Sequence, residues 1–195
     1  MRQASLQRTT QETDIRVYLL LEGQGVANIQ TGLGFLDHML TQIARHGRFD
    51  LTIQAQGDLQ VDGHHTVEDI GIALGQAFHH ALGERRGIVR FASAYAPLDE
   101  ALSRVVVDLS NRPHLSWRVQ FPTPRLGQME TELFREWFVA FANHGGITLH
   151  VENFYGLNSH HIIESCFKAL ALALKEACKR ELERDDVPST KGTLS

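Results

Sequence analysis

The sequence carries one five-residue pattern twice: His64-His65-Thr66-Val67-Glu68 and, 96 residues later, His160-His161-Ile162-Ile163-Glu164. Adjacent imidazoles followed by a carboxylate form a metal-ligand cassette. Having it twice constrains the chain to a fold in which an internal duplication brings two ligand sets toward a two-metal site.

The repeat extends beyond the cassette. A shift of 98 residues lays Phe35-Leu36-Asp37-His38-Met39-Leu40 over Leu133-Phe134-Arg135-Glu136-Trp137-Phe138, His46-Gly47 over His144-Gly145, and Leu51-Thr52-Ile53 over Leu149-His150-Val151. The shift drops to 96 before the cassette, so two residues are lost near the turns expected at Gly57 and Gly156, where a change of loop length costs little. Each half reads as helix, strand, turn, strand, cassette, helix. Two copies are too few for an open solenoid, so the chain is expected to be one domain, 1–195, of two half-units spanning about 10–87 and 100–184 with a tail at 185–195.

Strands are expected at Ile15–Glu22, Phe49–Gln56, Val89–Ala96, Ala101–Leu109, Leu115–Phe121 and Ile147–Asn153. Helices are expected at Leu33–Arg45, Thr66–Leu82, Thr131–Asn143 and Ser159–Glu183. The expected class is α+β, each half-unit a mainly antiparallel sheet with helices packed on one face.

A hydrophobic fraction of 43% with 22% charged residues is ordinary globular composition. A formal charge of −4 gives no general attraction to nucleic acid or anionic membranes. No apolar run approaches the roughly 20 residues of a membrane span, and the first residues have no apolar signal core. Cys166 and Cys178, twelve residues apart on one expected helix, stand about 18 Å apart, beyond disulfide reach. These features point to a cytoplasmic chain with reduced cysteines.

On a helix, residues four apart share a face, so His64 with Glu68, and His160 with Glu164, can each grip an ion. His65 and His161 point about 100° away and are available to a second ion. The repeat pairs His38 with Glu136, giving each metal one more donor. Imidazoles with carboxylates suit Mn²⁺, Fe²⁺, Co²⁺ or Zn²⁺, and an octahedral preference with open positions favours manganese. A histidine pair alone is ordinarily a surface or capping feature, and His79-His80, His114 and His150 are read that way. The cassettes by themselves also permit a dinuclear hydrolase or a non-enzymatic metal store.

The segments Gly34-Phe35-Leu36-Asp37-His38-Met39, Asp62 to Asp69, Ala96 to Ala101, Asn158 to Glu164 and Pro188-Ser189-Thr190-Lys191-Gly192 resemble those of the imidazoleglycerol-phosphate dehydratases, nearly end to end. The resemblance implies a manganese enzyme of histidine biosynthesis, with two Mn²⁺ per active site and a 24-subunit shell whose sites lie at subunit interfaces. It implies that one ion takes His38, His65, His160 and Glu164, and the other His64, Glu68, Glu136 and His161. Many relatives have histidine where Glu136 stands, so this chain carries an extra carboxylate there.

The implied reaction converts imidazole glycerol phosphate to imidazole-acetol phosphate and water, through a metal-bound imidazolate and a diazafulvene. Glu12 matches the family's acidic position and is assigned proton transfer. His46 aligns with a substrate-contacting stretch, though its repeat partner His144 points to turn capping. Arg90, Arg112, Lys168 and Lys191, with Ser189 or Thr190, form the implied phosphate cluster; an arginine fork suits two phosphate oxygens at once. The metal-ligating residues also count as substrate contacts. Asp99 and Glu100 are read as structural, because adjacent strand residues face opposite sides. A phosphatase of the kind fused to some relatives has no room before Glu12, so dehydratase activity alone is expected.

Overall fold

The computed structural model describes residues 1–181 and 183–194. The chain runs β1 (Gln3–Thr9), β2 (Thr13–Leu20), β3 (Ala27–Gln30), α1 (Gly34–Gly47), β4 (Asp50–Gly57) and α2 (His64–Leu82). It then repeats that order with β5 (Phe91–Leu98), β6 (Ala101–Asp108), β7 (His114–Arg118), a short hairpin of β8 (Arg125–Leu126) and β9 (Met129–Glu130), α3 (Glu132–Gly145), β10 (Thr148–Tyr155) and α4 (Ser159–Cys178).

The first sheet has the order β1-β2-β4-β3 and the second β5-β6-β10-β7, the same topology twice. In each, the last pair is parallel and the others antiparallel. Alternation explains the layering: along β2, Thr13, Ile15, Val17 and Leu19 are buried while their neighbours are not. The buried face of each sheet receives a cassette helix, α2 on β1 and β2, α4 on β5 and β6. The halves then join through their helices, α2 against α3 and α1 against α4.

Aromatic packing crosses that junction at Phe78 on α2, edge-on to Phe141 on α3 with centroids 5.4 Å apart, and continues into the second half. Trp137 is fully buried, stacked on Phe141 with centroids 5.1 Å apart, and meets Phe167 at 5.0 Å. Burying one such ring contributes about 1.5–3 kcal/mol. The helices also approach at the backbone: a Cβ on Gly71 would stand 2.8 Å from the Trp137 carbonyl oxygen, and one on Gly75 2.7 Å from that of Phe141. Only glycine lets α2 and α3 sit this close.

Helix ends follow local chemistry. α1 stops where Arg48 turns left-handed at φ 57°, and α3 where Gly146 does at φ 60°. α4 ends at Cys178, short of the expected Glu183, because Lys179 becomes extended at φ −58° and ψ 137°. Between α1 and α2, and between α3 and α4, the structure has one strand rather than two. The additional strands lie ahead of the first helix of each half. β1 and β3 escaped the sequence reading because the polar alternation of QASLQRT and the brevity of ANIQ give little apolar signal. The duplicated topology therefore takes in β1 and β5, beyond the half-repeat spans read from the sequence. Ser195, the last residue of the tail, lies outside the described residues. Among the described residues no helix is long and apolar enough to cross a membrane.

Candidate active site at the paired helix starts

Both cassettes open a helix. The Asn158 side-chain oxygen accepts from the backbone N–H of His160 at 2.8 Å and of His161 at 3.4 Å, capping α4. Asp62 occupies the matching place before α2 and accepts from His64 N–H at 2.8 Å. The imidazoles therefore project from the ends of rigid elements rather than from free loops.

One ligand cluster is complete enough to recognise within a single chain. One ligand atom each from His38 on α1 and from His160 and Glu164 on α4 lies within 4.8 Å of the others. Glu164 Oε2 stands 2.8 Å from His160 Nε2 and 3.0 Å from His38 Nε2, while its Oε1 accepts from Lys168 Nζ at 2.9 Å. Burial opposes the charge on Glu164, but the hydrogen bonds from Lys168, His160 and His38 outweigh it and hold the carboxyl at about 2. Phe35 walls this group, its ring 4.9 Å from that of His160 and edge-on to it. His46 backs it from behind: its Nε2 meets Gln42 Oε1 at 3.1 Å, and Gln42 reaches His38. Burial, then the Lys168 charge, lowers the His46 pKa.

The other two imidazoles are each held by a carboxylate. His65 Nδ1 is 2.9 Å from Asp58 Oδ2, and His161 Nδ1 is 2.6 Å from Glu100 Oε2. These bonds are the leading causes that raise both imidazole pKa values. Their Nε2 atoms face further carboxylates, Glu12 at 3.6 Å from His65 and Asp99 at 3.9 Å from His161. Asp99 and Glu100 occupy the two-residue turn between β5 and β6, with Asp99 at φ 46°, so strand alternation does not separate them. Both reach His161, so strand alternation is no ground for setting the pair aside.

The remaining expected ligands are not gathered. His64 Nε2 is 3.9 Å from Glu68 Oε2, and Glu136 pairs with Arg135 at 3.0 Å. Among the described residues, the only group of three or more donors close enough for one ion is His38, His160 and Glu164. Imidazole nitrogens with a carboxylate are the donor set that first-row divalent ions take, so the residues present fit such an ion.

A concavity of about 750 Å³ is lined by Arg90, Arg112, Arg184, Ser189, Thr190 and Lys191 among others. Arg90 is nearly buried and spans it: its Nε and Nη2 donate to Asp108 at 2.7 and 3.2 Å, and its Nη1 to the Pro188 carbonyl at 2.6 Å, docking the tail. Arg112 is looser, 3.8 Å from Asp108, and half exposed. Lys168 does not line this cleft; its four-residue spacing from Glu164 on α4 keeps it at the triad. Sequence reading missed Asp58, Gln42 and Asp108, whose roles appear only once loops and strands are placed.

A family model described as imidazoleglycerol-phosphate dehydratase matches residues 31–174. The imidazoleglycerol-phosphate dehydratase of Magnetococcus marinus is 66% identical over 193 residues, covering 98% of each chain. That of Prochlorococcus marinus subsp. pastoris is 55% identical over 195 residues, covering 100% of this chain and 97% of its own. Among solved structures, the Staphylococcus aureus dehydratase superposes with a TM-score of 0.84 at 38% identity, covering 92% of this chain and 99% of that one. The Pyrococcus furiosus enzyme, solved in complex with (S)-C348, gives 0.84 at 39% identity, covering 97% and 100%.

Proposed function

The chain belongs to the imidazoleglycerol-phosphate dehydratase family, and on that premise we propose a two-manganese active site, completed between subunits, that dehydrates imidazole glycerol phosphate. Its relatives make it a hydro-lyase of histidine biosynthesis. What carries the finer reading is the convergence of His38, His160 and Glu164 within 4.8 Å.

The first ion is assigned to His38, His160 and Glu164 with His65, and the second to His64, Glu68, His161 and Glu136. His65 and the second set do not close around an ion inside one chain, which supports ligands drawn from neighbouring copies. A 24-subunit shell is the assembly this reading takes. The exposed Phe91, Tyr95, Phe154, Tyr155 and Leu157 offer apolar surface for such contacts. Two buried, free cysteines agree with a cytoplasmic setting.

When bound, the two ions supply the Lewis acidity that stabilises the substrate ring as its anion. The chain's own residues do the rest. Removing a proton from a carbon with no adjacent carbonyl is slow, so hydroxide leaves first from the carbon beside the ring, giving a diazafulvene. Glu12, half exposed and 3.6 Å from His65, then takes the neighbouring C–H proton to give an enol that ketonises. Hydroxide and proton together make the released water. Arg90, Arg112, Lys168 and Lys191, with Ser189 and Thr190, bind the phosphate; within its own chain Arg90 also holds the tail and Lys168 also pairs with Glu164. His46 keeps its place among the substrate-binding residues through Gln42 and His38.

Incubating the purified protein with imidazole glycerol phosphate and Mn²⁺ tests this. Imidazole-acetol phosphate is expected; release of inorganic phosphate instead would indicate a hydrolase, and no product with retained metal a storage protein.

A further inference from the structure

We infer that Asp58 and Glu100 are positioning residues, each fixing the tautomer and direction of one imidazole, His65 and His161 respectively, so that its Nε2 is presented for metal binding. This rests on the two-metal reading above. An imidazole that ligates through Nε2 must carry its proton on Nδ1, and an ionised carboxylate can only accept, so a carboxylate at Nδ1 selects that tautomer. His65 and His161 are the imidazoles that need it. His160 is gripped by the carboxylate four residues on, and His64 faces its own, whereas the second histidine of each cassette meets Asp58 or Glu100 instead.

Duplication does not account for the pattern. Asp58 lies between β4 and α2, while Glu100 lies between β5 and β6. Leu20 stands opposite Asp50 and Asp108 opposite Thr148, so matching β4 to β10 matches β2 to β6 and sets Glu12 against Glu100, each one residue ahead of its strand. Yet Glu12 faces Nε2 of His65, and Glu100 holds Nδ1 of His161. The same nitrogen is thus held in both halves by carboxylates from non-equivalent places. Among the described residues Asp58 Oδ1 is buried without a hydrogen-bond partner, and the bond its side chain makes is the one to His65.

The two carboxylates predict opposite responses to amidation. Glu100 Oε1 accepts from Leu157 N–H at 3.0 Å and Asn158 N–H at 2.9 Å. In Glu100→Gln those bonds keep the amide oxygen, so the NH₂ faces His161 Nδ1 and drives the ring proton to Nε2. Asp58 Oδ1 has no partner to defend, so in Asp58→Asn the amide is free to turn its oxygen toward His65 Nδ1.

Metal-stripped protein titrated with Mn²⁺, with free Mn²⁺ followed by electron paramagnetic resonance, reads the difference. Glu100→Gln and Asp58→Ala are each expected to bind one of the two ions about 10–100-fold more weakly, and Asp58→Asn to restore most of the loss. Unchanged affinity in both Glu100→Gln and Asp58→Ala overturns the inference, as does equal weakening by Asp58→Asn and Asp58→Ala. Should Glu100→Gln not fold, the two Asp58 variants decide. Wild-type protein that takes up no Mn²⁺ would instead remove the two-metal reading, and this inference with it.

Discussion

His38 Nε2 and Glu164 Oε2 lie 3.0 Å apart although 126 residues separate them and they belong to opposite halves of the duplication. The packing of α1 on α4 makes that contact, so the junction of the half-units also builds the ligand cluster. Glu164→Gln removes the charge that Lys168, His160 and His38 converge on. The variant is expected to lose Mn²⁺ affinity by about 100-fold or more, beyond the 10–100-fold typical of an outer partner, and turnover with it. Elemental analysis beside a turnover assay checks this; full activity at normal metal content would strike Glu164 from the ligands.

Glu12 makes a different prediction, because its half-exposed carboxylate lies 3.6 Å from His65 Nε2 without belonging to the triad. Glu12→Gln keeps the shape but cannot take a proton. Its kcat is expected to fall by about 10²–10⁴, the usual contribution of a general base, with metal content and assembly size unchanged. A wild-type rate would refute the proton-transfer role.

Much of this arrangement is legible in the sequence, and the reasons for the remainder are specific. The cassettes, the His38–Glu136 match and the 98-residue shift predict two like half-units, since ligand-bearing helices recur with their spacing changed by only two residues. What the sequence does not show is which nitrogen of each imidazole is free. That depends on Asp58 and Glu100, and the equivalence of Glu100 with Glu12 emerges only from the registers of β2 with β4 and β6 with β10. Lys168 is a further case: its four-residue spacing from Glu164 on α4 already sets it beside that carboxylate within one chain, and its place in the phosphate cluster stays with the proposal.

Arg112 and Arg90 line the same cleft but are held differently. Arg90 is committed to Asp108 and Pro188, whereas Arg112 is half exposed and only 3.8 Å from Asp108, so its guanidinium remains available to phosphate oxygens. Charge-assisted hydrogen bonds of this kind contribute about 1.5–3 kcal/mol. Arg112→Ala should therefore raise KM about tenfold or more while leaving kcat and Mn²⁺ content near wild type. An unchanged KM in steady-state kinetics would exclude the contact.

The closeness of α2 and α3 yields the last prediction, which concerns the scaffold alone. A Cβ at Gly75 would lie 2.7 Å from the Phe141 carbonyl oxygen and 2.9 Å from the Gly145 backbone nitrogen, both main-chain atoms that no rotamer change can move aside. In an exposed helix interior, alanine in place of glycine would stabilise by up to about 1 kcal/mol. Here the added methyl must push the two helices apart, and overpacking of this kind costs about 1–3 kcal/mol, so the clash outweighs the helical preference. Gly75→Ala is expected to lower the thermal midpoint of the protein. Because α3 carries Glu136 and α1 and α4 carry the triad, the separation should also weaken Mn²⁺ binding at the Glu136 site before the triad. A variant as stable as wild type in a calorimetric scan would show that the helices have room to part.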